Sequence, residues 1–165
     1  MAKHKDSGSS APKADDKVLV TMFRTKPEDV DLFYISLLGL RVTDSVNLFS
    51  LLRSGLPYSA WEYFSKLTRF TEKEMLTLTQ MSRSTLNRRK GSHLEPLESE
   101  RLARVARVFY KTLRMFRGDL ERARLWFTTP RPTLGGNTPF EMTSLEPGAL
   151  EVEDVIGRIQ YGVYS

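Results

Sequence analysis

An all-α fold follows from three features of the 165-residue chain. From Pro27 onward apolar residues recur at three- and four-residue spacing almost throughout, the repeat that lines one face of a helix. Ser, Thr or Asp stands ahead of many of these runs, in two places with Glu three residues later, the arrangement of N-caps and capping boxes. No stretch alternates polar and apolar residues convincingly enough to read as a strand.

Residues 1–19, rich in Ser, Lys, Asp and Ala without periodicity, read as a disordered or weakly ordered leader. Pro27 with Glu28 and Asp29 opens the first predicted helix, with Val30, Phe33, Tyr34 and Leu37 at helical spacing. Asp44 caps a second, whose apolar residues Val46, Phe49 and Leu52 lead to a stop at Gly55. A third after Pro57 buries Ala60, Trp61, Phe64 and Leu67. The Thr71/Glu74 capping box starts a helix to about Gln80, and Ser82 caps a short one through Lys90, before Gly91. The longest runs from about Pro96 to Phe116 with Leu102, Val105, Phe109, Leu113 and Phe116 on one stripe. Asp119 caps the next, which carries Leu120, Ala123, Trp126 and Phe127. The Pro- and Gly-rich segment Thr129–Asn137 is expected to be an irregular loop that accommodates no helix. Thr138, Pro139 and Glu141 open another helix, and a last one follows Pro147 and Gly148 with Leu150, Val152, Val155, Ile156 and Ile159. The expected division is a leader at 1–19, a helical domain at 20–95 and a second helical domain at 96–165.

Composition narrows the chemistry. The absence of Cys removes disulfides, thiol nucleophiles and Cys-ligated metals, and no cofactor is expected. His4 and His93 lack regularly spaced carboxylate partners, and no phosphate loop, HExxH or GxSxG motif occurs, so no enzyme is expected. The richest apolar run, Leu32 to Leu40, is too short to span a bilayer, and the N-terminus lacks a signal-peptide apolar stretch; a cytoplasmic protein is the expectation, with no membrane partner. The net charge of +5 is unevenly spread: residues 81–126 hold twelve basic and five acidic groups, residues 127–165 two and five. A basic middle before an acidic end suggests two different partners, one of them a polyanion.

Helix, tight turn, helix over residues 71–90 is the strongest local signal. Leu86 is the main apolar anchor of the second helix, which offers Arg83, Ser84, Thr85, Asn87, Arg88, Arg89 and Lys90. Arg pairs bidentately with guanine and Asn with adenine, and Ser or Thr takes phosphate oxygens, so these are DNA-reading side chains; a solvated basic helix is the alternative. Arg101, Arg104, Arg107, Lys111 and Arg114 form a second basic row, for which a solvated face is the commoner meaning and phosphate contact or an acidic partner the alternatives. Two recognition helices one DNA turn apart would call for a homodimer, with Phe33, Tyr34, Leu37, Leu38 and Leu40 as the chosen protomer contact, although a core role explains them equally well. Near the C-terminus, core packing is the commoner fate of Trp126 and Ile159, whereas Tyr161 to Ser165 fit an interface at least as well.

The run from Trp126 to Pro139, with its Leu134-Gly135-Gly136 turn, and the ending Arg158-Ile159-Gln160-Tyr161-Gly162 resemble the toxin-binding domain of Xre/MbcA/ParS-type bacterial antitoxins. Residues 82–89 are similar to that family's Xre-type helix-turn-helix, so the resemblance covers roughly residues 42–165. It implies a type II antitoxin that neutralises a RES-domain toxin, an NAD+-depleting enzyme, and represses its own operon by binding operator DNA, within a larger toxin-antitoxin complex. The toxin-binding residues it implies are Trp126, Leu134, Gly135, Gly136, Arg158, Tyr161, Gly162, Tyr164 and Ser165. The last helix and tail, with two Tyr anchors and a free carboxylate, are expected to block the toxin's active site. A stand-alone helix-turn-helix repressor with a C-terminal dimerisation domain is the competing reading.

Overall fold

The computed structural model describes residues 32–162; the leader, the Pro27 helix start and the tail Val163 to Ser165 lie outside the described residues. A short 3-10 helix, Phe33–Leu38, comes first. Then follow α1 (Ser45–Ser54), α2 (Tyr58–Thr68), α3 (Glu72–Thr79), α4 (Arg83–Arg89), α5 (Pro96–Met115) and α6 (Leu120–Thr128). A 3-10 turn, Pro132–Leu134, precedes α7 (Pro139–Met142) and α8 (Glu146–Tyr161). The expected caps form: Asp44, Ser82 and Asp119 accept the N–H three residues on, and Thr71/Glu74 and Thr138/Glu141 close reciprocal capping boxes. Among the described residues the β-structure is one isolated bridge between Pro57 and His93, which places His93 in the loop between α4 and α5.

The fold is organised around α5, which packs against the first 3-10 helix, α1, α3, α6 and α8. One buried face of α5 carries Leu102, Val105, Phe109 and Leu113, each 0% exposed. Phe109 sits at the centre of an aromatic cluster, 5.1 Å from Phe70 and 5.3 Å from Phe127 between ring centroids, with Phe64 6.2 Å away. Phe140 of α7 closes the cluster against Phe70 and Phe127. Edge-to-face aromatic packing of this kind joins residues from α2 to α7 in one core.

Five expectations are corrected. Phe33–Leu38 is a 3-10 helix rather than a continuing α-helix. Its apolar pairs Tyr34/Ile35 and Leu37/Leu38 repeat every three residues, which matches three residues per turn. All four are buried, so Tyr34, Leu37 and Leu38 of the expected protomer contact are core of their own protomer, while Phe33 and Leu40 are half-buried. Conversely, Val46 and Phe49 of α1 are 74% and 63% exposed; their spacing marks a stripe, but none of the described elements covers it. The Pro-rich loop does accommodate a helical turn, Pro132–Leu134, because three residues of 3-10 geometry tolerate Pro at the start. Finally, α8 begins at Glu146 and takes Pro147 and Gly148 into its first turn, while Leu150 (54%) and Ile159 (36%) stay outside the core.

Gly148 is inside α8 because of close approach: a Cβ there would overlap the backbone carbonyl of Met142, at the end of α7. Gly157, further along the same helix, would meet nothing within 4 Å. Two substitutions of identical chemistry should therefore act in opposite directions. Gly148→Ala should destabilise by about 2–3 kcal/mol by forcing α8 off α7, and Gly157→Ala should stabilise by about 0.5–1 kcal/mol through helix propensity. Urea unfolding of the two variants beside the parent checks both signs.

Candidate functional site

Two surfaces are built on this frame. The first is the α3–turn–α4 unit. Gln80 ends α3 in the left-handed region at φ 52°, and its N–H reaches the carbonyls of Leu76 and Thr77. Ser82 restarts the chain by accepting the Thr85 N–H at 3.0 Å. Leu86, 1% exposed, anchors α4 in the core, in keeping with its place as the main apolar residue of that helix. With that face inward, Arg83, Ser84, Asn87, Arg88 and Lys90 are exposed and Thr85 is half-buried. Arg83 makes one surface ion pair, Nε to Glu72 at 2.8 Å, which water and salt readily loosen.

Arg89 is placed differently from its neighbours. Its guanidinium donates to both oxygens of Glu98, at 2.9 and 3.0 Å, and pairs with Glu95 at 3.1 Å. The side chain is 16% exposed, so its charge is committed to holding α4 against the start of α5 rather than turned outward. Burial alone would push the Glu98 carboxyl up; hydrogen bonds from Arg89 and the Glu95 N–H, together with nearby positive charge, outweigh it and hold the group below its ordinary value. Folded Glu98 thus binds its proton less tightly than it does in the unfolded chain. It contributes stability above the unfolded carboxyl range near ~4.3, and loses it as pH falls through the lower folded value. Arg89→Ala should cost about 3 kcal/mol by stranding Glu98. Thermal unfolding between pH 3 and 7 should show a flatter acid limb for Glu98→Gln than for the parent.

The basic row on α5 is not a solvated face. Arg104 is 7% exposed and donates to the carbonyls of Thr143 at 3.2 Å and Ser144 at 3.0 Å. Arg107 bridges Glu153 at 2.6 Å and Glu146 at 2.7 Å, and Lys111 also pairs with Glu153. Burial works against the Arg107 charge, yet the two carboxylates hold its guanidinium above the ordinary value. The acidic partner of Arg107 and Lys111 is the chain's own α8. Beside it, the Gln80 amide donates to the Ser144 carbonyl at 2.7 Å, and Arg101 approaches the Gln80 carbonyl at 3.5 Å. The helix-turn-helix turn and the α7–α8 turn are therefore tied directly.

The second surface belongs to the C-terminal helices. Trp126 (7% exposed) and Leu134 (3%) are interior; the Arg131 guanidinium lies 5.2 Å over the Trp126 ring. Leu134 thereby pins the turn and leaves Gly135 and Gly136 outside, at φ 64° and 83°, where residues with a side chain are strained. Along α8, Leu150, Asp154, Arg158 and Tyr161 share one outward face at helical spacing. Arg158 pairs with Asp154 at 2.5 Å and Glu151 at 3.2 Å, and Tyr161 is 84% exposed. Gly162 turns the chain out of the helix at φ 67°; Tyr164 and Ser165 lie outside the described residues.

An outward polar recognition-type helix, joined through α5 to a small helical module with a double-glycine turn, defines a helix-turn-helix protein with an appended binding domain. Residues 48–107 match the family described as the antitoxin Xre-like helix-turn-helix domain, and residues 112–162 that of the antitoxin Xre/MbcA/ParS C-terminal toxin-binding domain. The chain is 32% identical over 130 residues to the antitoxin Xre of Yersinia enterocolitica, covering 78% of this chain and 88% of the relative. It is also 32% identical over 130 residues to the antitoxin Xre of Photorhabdus laumondii, covering 77% and 87%. A third antitoxin Xre, from Pseudomonas putida, is 29% identical over 102 residues, 58% of this chain and 64% of that one. The chain belongs to the Xre antitoxin family. Among the described residues no helix is long and apolar enough to cross a membrane.

Proposed function

We propose that this chain is the cytoplasmic antitoxin of a type II pair: it binds and neutralises a RES-domain toxin that consumes NAD+, and represses the shared operon through α4. The match of residues 112–162 to a toxin-binding domain, directly after a helix-turn-helix, carries the reading. The exposed set Arg83, Ser84, Asn87, Arg88 and Lys90 supports DNA contact, with Thr85 at its edge. Arg89 serves that surface by fixing α4 in place. A homodimer sets two such helices about one DNA turn, ~34 Å, apart. Toxin contact falls to Gly135, Gly136, Arg158, Tyr161 and the residues after Gly162, with buried Trp126 and Leu134 shaping the turn from within. An exposed aromatic beside a helix end suits insertion into a concave enzyme site, where it supplies contact area at low entropy cost.

The test is co-expression with the neighbouring reading frame, whose product this reading requires to be a RES-type toxin, using the full chain and a form truncated after Gln160. The full chain should co-purify with the toxin and preserve cellular NAD+. The truncated chain should lose protection, with binding retained if the tail only obstructs the site and lost if it is the affinity anchor. Undiminished protection by the truncated chain would overturn the blocking role of the tail, and no association of the full chain would overturn the antitoxin reading.

A further inference from the structure

A cleft of about 360 Å3 opens between the first 3-10 helix, α5 and α8, away from the outward face of α4. That is the size of a small-molecule site, which starts at roughly 300 Å3, and far exceeds what a lone ion fills. Tyr34, Arg107, Lys111, Arg114, Glu153 and Gln160 line it. Glu153 and Glu146 between them neutralise Arg107 and Lys111. Arg114 is left over: no carboxylate lies within ion-pair distance of it among the described residues. Tyr34 is 7% exposed, and its hydroxyl has no hydrogen-bond partner among the described residues. Tyr34 is buried through its ring and Arg114 is half-buried, and both present donors to the cleft that no acceptor among the described residues claims, so they are open to a ligand there.

We propose that this cleft binds a small organic phosphate of about mononucleotide size. Arg114 offers a fork of N–H donors, Lys111 keeps N–H groups beyond the one given to Glu153, and Tyr34 adds a hydroxyl; three terminal phosphate oxygens can accept from all three. Burial pushes the Tyr34 phenol up, with the Glu153 and Glu146 charges adding and Arg107 opposing, so it remains a donor at neutral pH. The Gln160 amide and the Glu153 carboxylate are acceptors for hydroxyl or amino groups on the organic part. Neither surface assigned above uses Tyr34 or Arg114.

Calorimetric titration of the full-length protein, free of toxin and DNA, with adenosine monophosphate as probe tests the site, and its failure would leave the antitoxin reading untouched. Saturable binding should appear, and inorganic phosphate should bind at least tenfold more weakly. Arg114→Gln should weaken binding at least tenfold, Tyr34→Phe severalfold, and Gly157→Leu should abolish it by filling the cleft from a position with open space around it. Lys90→Gln, on α4, should change nothing. Absence of saturable binding, equal affinity for inorganic phosphate, or a loss that follows Lys90→Gln instead of Arg114→Gln would overturn the proposal.

Discussion

A variant with Arg83, Asn87, Arg88 and Lys90 all changed to alanine should lose specific operator binding, by at least a hundredfold at physiological salt. Removing a bidentate base interaction costs about 1–3 kcal/mol, and removing a phosphate interaction flattens the logarithmic salt dependence by about one. The four side chains are exposed, and among the described residues their one ion pair, Arg83 with Glu72, lies at the surface. Stability should therefore stay within about 0.5 kcal/mol of the parent. Arg89→Ala is the mirror case, with a loss of stability that precedes any effect on DNA. Electrophoretic mobility shifts across a salt series, with urea unfolding in parallel, separate the two; wild-type affinity in the fourfold variant would remove α4 from the groove.

Phe109→Ala should be among the most damaging single changes, lowering unfolding stability by about 4 kcal/mol. The ring is 0% exposed and packs on Phe64, Phe70 and Phe127. Its removal forfeits the transfer energy of the side chain and its packing on those rings, and it leaves a cavity that elements from both ends of α5 line. Against a typical total of about 5–15 kcal/mol, that loss raises the unfolded fraction roughly a thousandfold. A single cooperative transition shifted to lower urea is expected in both far-ultraviolet dichroism and tryptophan fluorescence. A destabilisation under about 1.5 kcal/mol would mean that the cluster closes over the gap.

Helix starts are legible in the sequence because capping is local: Asp44, Thr71 with Glu74, Ser82, Asp119 and Thr138 with Glu141 act within three residues of themselves. The recognition-type helix is legible for the same reason, since Leu86 alone decides which way α4 faces. Arg89 is not. Its difference from Arg88 lies in Glu98, across a turn, and the identity of the residue carries no sign of it. The basic row on α5 reads as solvated in sequence because its partners Glu146 and Glu153 come some forty residues later, and charge counted by segment cannot tell which groups meet. Likewise the apolar stripe of α1 says that one side is greasy, while only the tertiary arrangement says that Val46 and Phe49 remain uncovered. Gly148 suggests a helix boundary because glycine weakens helices; its real reason, close approach to the Met142 backbone, is a matter of packing.

The two family matches meet on α5, between Arg107 and Thr112, in the middle of an unbroken twenty-residue helix. Around that junction Arg104 and Gln80 bind the Ser144 backbone, and the Phe109 cluster draws rings from either side. Recombination between relatives is constrained accordingly. A crossover placed at the sequence boundary of the matches would graft half a helix onto a foreign partner and split the aromatic core, so hybrids built there should misassemble. On the function proposed above, exchange of toxin preference between family members is instead open to substitution of the outward positions of α8, Leu150, Asp154, Arg158 and Tyr161, which lie outside the aromatic core.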